Sequence, residues 1–274
     1  MDKNFYSPTM LVNYVNLKHF ITDEFGDEIL NLKKSERTIA ENLRLEKGLI
    51  HEKDYFNELS KKYKKIKNIK KLKDLSKEEK IKETIQALKN GYELVYGGWL
   101  ASGNWRGELD FLEINKTVKS NFGDWSYEII DTKNTSKVKK DHIYQISLYS
   151  FLLKEAQGIL PKNFYILLKD KKKEIVRIGE VYDIFLEQKL SFENFVKNDL
   201  NRKKLEKVSY CSYRDLQEFC EKEWINKKHL NQGLGNNKNN IKRLNEAGIK
   251  NFIELSKLHP KKKIEGLKDE TKIK

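Results

Sequence analysis

Three short runs of β-branched, aromatic and other apolar residues follow one another between residues 93 and 134, and they constrain the fold more than any other feature. The runs ELVYGGWLA, WRGELDFLEI and SYEIIDTKN are separated by glycine, asparagine and aspartate, which is typical of consecutive strands. A helix is predicted from Lys137 to Gln157, and NFYILLKD and EIVRIGEVY predict two further strands. This order predicts an α/β fold with a mixed central sheet flanked by helices.

Helices are predicted before these strands. Ser7 and Pro8 are an N-cap and a first helical residue. A long helix is predicted from about Ser35 to Lys64, with a core face of Ile39, Leu43, Ile50 and Leu59. The lysine-rich run KKYKKIKNIKKLKD at 61–74 is predicted to be a solvated arm or loop, and a capping box at 76–79 begins a helix that ends near Gly91.

The last part of the chain has a different composition. A polar helical stretch is predicted from about Asp183 to Lys207, and two helical halves then surround Gly233-Leu234-Gly235. We therefore predict a main domain at 1–225 and a small helical C-terminal appendage at 226–274. Because the chain stops inside what resembles another helical unit, we also expect a possible truncation at that end.

Composition and charge limit the class of protein. The apolar fraction of 38% supports a core, and the formal charge of +14 favours a polyanionic partner such as nucleic acid. The excess of lysine over arginine also agrees with an A/T-rich genome, so charge alone permits nucleic-acid binding without selecting it.

Segments that cross or anchor to a membrane are not evident in the sequence. No run approaches the roughly 20 apolar residues of a membrane span, and the start lacks a signal-peptide pattern. The only cysteines are Cys211 and Cys220, too few for a disulfide-stapled secreted fold. We predict a cytoplasmic protein with no membrane partner.

The candidate chemistry lies on the middle strands. Asp110 falls in an alternating strand, and Asp131 and Lys133 end the next apolar strand at a spacing that puts both side chains on one face. Two carboxylates on adjacent strands can hold Mg²⁺ or Mn²⁺. A lysine beside them can orient an attacking water and stabilise charge on a phosphate, which are the minimal requirements for phosphodiester hydrolysis.

Chance is the alternative explanation for the acid-x-lysine spacing. The same spacing occurs at Glu78 and Lys80, at Asp170 and Lys172, and at Glu270 and Lys272. None of these pairs follows a second acidic strand, whereas Asp131 and Lys133 do.

Two further groups point to the same site. Gln145 and Tyr149 are neighbours on one face of the following helix. Upstream, Gly48 would allow close backbone approach, and His51 could give a ring nitrogen to the metal, although a lone helical histidine is more often structural or exposed.

In this order of motifs the chain resembles the RecB-like branch of the PD-(D/E)XK nucleases. The matching elements are Gly48 to His51, Asp110, Asp131 to Lys133, and Gln145 to Tyr149. A bacterial subgroup of RecB-like nucleases is closer still, through YSPTMLVNYV, GWLASGNWRGELDFLE, YEIIDTKNTSKVKKDHIYQISLYSFLL and CEKEWINKKHL.

The resemblance implies a restriction-endonuclease-like core and a role for each site residue. His51, Asp110 and Asp131 would be metal ligands with the Thr132 carbonyl, and Lys133 would be catalytic. Gln145 and Tyr149 would position DNA or the site itself.

An iron–sulfur cluster, held by four cysteines in many relatives, is not expected here. The early cysteine is absent from VNYVNLKHF, and CSYRDLQEFC keeps Cys211 and Cys220 with Arg214 between them. Two thiolates cannot satisfy a four-thiolate cluster, so we interpret both cysteines as packing remnants of a lost site.

The tail resembles a helix-hairpin-helix, which contacts DNA phosphates through backbone N–H groups, and an ordinary helical hairpin is the alternative. The leading hypothesis for the whole chain is a Mg²⁺- or Mn²⁺-dependent deoxyribonuclease of DNA repair, recombination or processing. A non-cleaving nucleic-acid-binding module on the same fold is the second hypothesis, and a chance motif on an unrelated α/β protein is the third.

Overall fold

A six-stranded mixed sheet is the centre of the computed structural model, which describes residues 5–17, 38–197, 221–222, 224–230, 232, 238–259 and 263–267. The strands are β1 (Ile66–Asn68), β2 (Leu94–Ser102), β3 (Trp105–Asn115), β4 (Ser126–Lys133), β5 (Asn163–Leu168) and β6 (Lys173–Arg177). They lie in the sheet in the order of the chain, and the β1–β2 and β4–β5 pairs are parallel while the others are antiparallel. The predicted α/β class with a mixed sheet flanked by helices is confirmed.

The helices whose bounds the structure describes are α1 (Pro8–Leu17), α2 (Ile39–Lys62), α3 (Lys77–Lys89), α4 (Lys140–Gln157), α5 (Tyr182–Lys197), α6 (Lys238–Glu246) and α7 (Phe252–Ser256). Two of the predicted N-caps are confirmed by hydrogen bonds. The Met10 N–H lies 3.3 Å from Ser7 Oγ, and Ser76 and Glu79 form both bonds of a capping box. Gly158, in a left-handed conformation, ends α4 as predicted.

Parallel neighbours need crossover connections, and α3 and α4 supply them. Both connections step in the same direction across the sheet, and such crossovers are almost always right-handed, so both helices belong on one face. Tyr127 of β4 contacts both: its hydroxyl donates to the Leu88 carbonyl of α3, and its backbone N–H donates to Gln157 of α4.

Helix α2 covers the opposite face with its second half only. Leu59 packs there in a buried cluster with Leu94, Tyr96, Phe111 and Ile130. The core face predicted for the first half of the helix is wrong. Ile39, Leu43 and Ile50 are exposed, because the sheet lies beneath the last turns of α2 only.

The lysine-rich segment is not the predicted solvated arm. It contains β1, which pairs with β2, and a 3₁₀ turn at Ile69–Lys71 that Asn68 caps. Ile69 is fully buried and Ile66 packs on the α2 cluster, so two isoleucines anchor a segment whose remaining residues are mostly lysine.

The chain divides into two compact units, Met1–Val12 with Arg37–Glu193, and Asn13–Glu36 with Asn194–Lys274. The second unit contains a small core of Leu230, Ile241, Leu244, Ile249, Ile264 and Leu267. Gly248, with a positive φ of 84°, joins α6 to the segment before α7. The domain boundary at 225 and 226 stays a prediction, and Gly233 to Gly235 lie outside the described residues.

Within the described ranges, no helix is both long and apolar enough to cross a membrane.

Candidate active site

The β3–β4 pairing ends where the candidate site begins. Phe111 opposite Ile130 is the last recorded pair, and Asp110 and Asp131 are the next residue on each strand. The Thr132 N–H donates to Asp110 Oδ2 at 2.8 Å, and the Thr132 hydroxyl donates to the same oxygen at 2.7 Å. The Asp110 carboxylate therefore accepts the Thr132 N–H, as a backbone carbonyl of a paired strand would. These two bonds hold the carboxylate against β4, beside Asp131.

Asp131 and Lys133 form an ion pair, with 2.6 Å between Oδ2 and Nζ. The predicted common face of these two side chains agrees with this contact. Burial raises the pKa of the Asp131 carboxyl to about 7, against the lowering effect of Lys133, and the Asp110 charge adds to the rise. For Lys133, burial lowers the pKa, but the charges of Asp131 and Asp110 outweigh it and leave the pKa above its ordinary value.

A second lysine reaches the same place from the 3₁₀ turn. The Lys70 ammonium pairs with Glu52 of α2 and lies 3.7 Å from Glu108 Oε1 of β3. Burial and the neighbouring Asp110 charge raise the pKa of Glu52, against the effect of Lys70. Asp110 thus lies within electrostatic range of both lysines.

Lys70 crosses β2 at Gly97. A Cβ on residue 97 would lie 2.2 Å from Lys70 Cγ, and Gly97 has a φ of +67°. The backbone conformation and the close approach each require glycine here.

Tyr149 and Gln145 lie together on α4, with 3.0 Å between Gln145 Nε2 and the Tyr149 hydroxyl. Tyr149 is buried, and burial followed by the Asp131 charge raises the pKa of its phenol. A Cβ on Gly107 of β3 would lie 2.6 Å from the Tyr149 ring. This glycine therefore makes room for the ring beside the acidic strands.

His51 lies over the β4–β5 ladder. Its Nε2 is 3.3 Å from the Leu167 carbonyl oxygen, and Leu167 pairs with Thr132. No described residue lies within 4 Å of a Cβ placed at Gly48, so the close approach predicted at this glycine stays a prediction.

The donor chemistry of the site partly suits a hard divalent cation. Asp131 Oδ2 is buried, and Lys133 Nζ lies 2.6 Å from it. A carboxylate oxygen has two lone pairs, so this ion pair leaves one of them for a cation. Asp110 supplies a second carboxylate beside it. However, no three His, Cys, Asp or Glu side chains of the described chain are already grouped as metal ligands. Asp110 and Asp131 are the described residues that would hold such a cation.

Four residues of this site were not predicted from the sequence: Lys70, Glu52, Gly97 and Gly107. A lysine in a run of lysines carries no local signal, and Glu52 looks like any solvated helical glutamate. Both become recognisable only when β1 is known to pair with β2, since that pairing places the 3₁₀ turn above Gly97. Cys211 and Cys220 lie outside the described residues.

Comparison with known proteins leaves the family open. No protein-family model matches the chain, and no curated protein matches it. Among solved structures, the chain is similar to a protein from Eubacterium rectale named "Putative exonuclease". The TM-score is 0.42 at 12% sequence identity, over 78% of this chain and 89% of the other.

Proposed function

We propose that this chain is a metal-dependent nuclease that hydrolyses phosphodiester bonds of DNA in repair, recombination or processing. The observation that carries the proposal is the buried Asp131–Lys133 ion pair, adjacent to Asp110 where the β3–β4 pairing ends. The ordered motifs from Gly48 to Tyr149 and the PD-(D/E)XK resemblance support it.

In this proposal, Asp110 and Asp131 hold Mg²⁺ or Mn²⁺, with His51 and the Thr132 carbonyl as further ligands. The ion, when bound, supplies Lewis acidity toward the phosphate and lowers the pKa of a water. The Lys133 ammonium orients the attacking water and stabilises the charge that develops on phosphate oxygens. Thr132 fixes Asp110 through two hydrogen bonds, and Gln145 orients the Tyr149 hydroxyl.

The test is incubation of the purified protein with labelled single- and double-stranded DNA in Mg²⁺, Mn²⁺ or chelator. We expect cleavage with either metal and none with chelator. Lys133→Ala should lower the cleavage rate by at least about 100-fold, while DNA affinity stays nearly unchanged because dispersed phosphate contacts supply it.

Lys172→Ala is the matched control, because Asp170 and Lys172 repeat the spacing at an exposed turn where Lys172 pairs with Glu174. It should cut like the wild type. Equal cleavage by wild type and Lys133→Ala would show that the activity belongs to another site or to a contaminant.

A non-cleaving nucleic-acid-binding module is the second candidate. It is favoured by the lack of a grouped three-ligand set among the described side chains and by the direction of His51 Nε2 toward Leu167. DNA binding by the wild type without cleavage in any metal would select this function.

A further inference from the structure

Lys70 and Lys133 are two ammonium groups in an acidic site. The carboxylates around them are Glu52, Glu108, Asp110 and Asp131, which gives a formal charge of −2 with all groups ionised. One divalent cation neutralises this charge. Without Lys70 the same site with its cation would remain at −1 and would repel a phosphodiester.

The Lys70 ammonium retains donors for a ligand. Lysine has three N–H donors. Among the described residues, Glu52 takes one donor in a hydrogen bond, Glu108 at 3.7 Å lies beyond ordinary hydrogen-bond distance, and the Tyr96 ring centroid lies 5.1 Å from the ammonium. The side chain keeps 29% of its surface exposed, so an anion can approach without breaking the Glu52 pair.

The path of the Lys70 side chain across β2 also indicates a role in ligand binding. Lys70 crosses β2 only because residue 97 is a glycine with a positive φ, and its ammonium ends within electrostatic range of Asp110. An ion pair with α2 does not by itself require a path across a strand, since Lys171, between β5 and β6, pairs with Glu58 of the same helix at the surface.

We propose that Lys70 is a substrate-binding residue that contacts a phosphate oxygen of the nucleic-acid backbone, on the side of Asp110 away from Lys133. The inference rests on the proposed function for its ligand, a phosphodiester chain. It assigns a phosphate contact to a lysine outside the ordered motifs.

The test uses a charge-neutral exchange, Glu52→Gln with Lys70→Gln. Two glutamines can keep a hydrogen bond between α2 and the 3₁₀ turn, and the net charge of the protein stays at +14. The matched control is Glu58→Gln with Lys171→Gln, which removes an exposed pair from the same helix. Circular dichroism and thermal melting verify that each variant is folded.

Affinity for a fluorescent oligonucleotide is measured across a salt series at one fixed concentration of Ca²⁺, which takes oxygen ligands and neutralises the site as Mg²⁺ would. Loss of one phosphate contact should reduce the slope of log K against log salt by about 0.9 for duplex or about 0.7 for single-stranded DNA. We expect this reduction for the Glu52/Lys70 exchange and none for the Glu58/Lys171 exchange. If the first exchange does not fold, Lys70→Gln alone gives the same measurement.

An unchanged slope in a folded Lys70 variant would overturn this inference, even if the wild type cuts DNA. Binding with a reduced slope but no cleavage by the wild type would overturn the nuclease and support the inference. Failure of the wild type to bind DNA at all would overturn both.

Discussion

Gly97 carries two constraints at once, one from its own backbone and one from another segment. Its φ of +67° costs any side chain about 1–2 kcal/mol, and the Lys70 side chain occupies the space of its Cβ. Gly103 shares the first constraint, with a φ of +57°, but nothing described lies within 4 Å of its Cβ position.

We expect Gly97→Ala to lower the free energy of unfolding by more than Gly103→Ala does. The Gly103 variant should lose only the conformational cost of about 1–2 kcal/mol, whereas the Gly97 variant must also displace Lys70 from Glu52. Denaturant unfolding of both variants measures the difference. Equal losses would mean that the Lys70 side chain moves aside without cost.

At the scale of elements, the start of α4 contains a histidine that is held neutral. The Lys139 N–H donates to His142 Nδ1, 3.2 Å away, so the ring nitrogen must be unprotonated. Burial, then the charges of Lys133 and Lys139, lower the pKa of His142 to about 4. The positive end of the helix dipole acts in the same direction.

Stability should therefore fall as the pH is lowered from 6.5 to about 4. In this window the unfolded chain binds a proton at His142 while the folded chain does not, so the free energy of unfolding decreases by at most about 3 kcal/mol. His142→Gln, which can still accept from the Lys139 N–H, should show a smaller decrease. Urea unfolding at pH 7 and pH 4 compares the two proteins, and identical decreases would contradict this role of His142.

Most of the elements could be predicted because local chemistry specifies them. Alternating β-branched residues gave β2 to β4, and Ser76, Glu79 and Gly158 marked helix ends with their own hydrogen bonds or φ angles. β1 could not be predicted, because it lies within a run that is mostly lysine and its pairing with β2 is a non-local contact. The spacing of apolar residues predicted that α2 is a helix, but which of its turns meet the sheet depends on tertiary packing.

Some residues of the candidate site could likewise be predicted from local sequence, and others could not. Asp110, Asp131 and Lys133 follow from strand alternation and come together in the structure. Lys70 and Glu52 belong to segments whose approach is set by the whole sheet, so their spacing in sequence carries no information about their contact.

At the scale of the whole molecule, a divalent cation should stabilise the fold if Asp110 and Asp131 hold it. Mn²⁺ at about 100 times its dissociation constant would add about 2.7 kcal/mol to the free energy of unfolding. We expect a higher melting temperature with Mn²⁺ for the wild type and little change for Asp110→Asn. Asp124→Asn is the control, because Asp124 is exposed and pairs with Lys119. An equal shift in both variants would place the cation elsewhere.

The proposal that the chain needs no iron–sulfur cluster is tested by anaerobic purification. The protein should lack the absorbance near roughly 400 nm that thiolate-bound clusters give. Replacing Cys211 and Cys220 by serine should cost about 1–2 kcal/mol each and leave a soluble, active protein. Four irons per chain, or an insoluble double variant, would count against the proposal.

The strands lie in the sheet in the same order as in the chain, and this affects the order in which they can pair during folding. β2, β3 and β4 form an antiparallel meander, and two residues join β2 to β3, so few loops must close before Asp110 and Asp131 meet. Lys70 reaches this pair of strands only when β1 adds to β2 in parallel, and Ile66 and Leu94, which pair there, are farther apart in the chain than Phe111 and Ile130, which pair in the meander. We therefore expect the two aspartates to come together earlier in folding than Lys70 joins them.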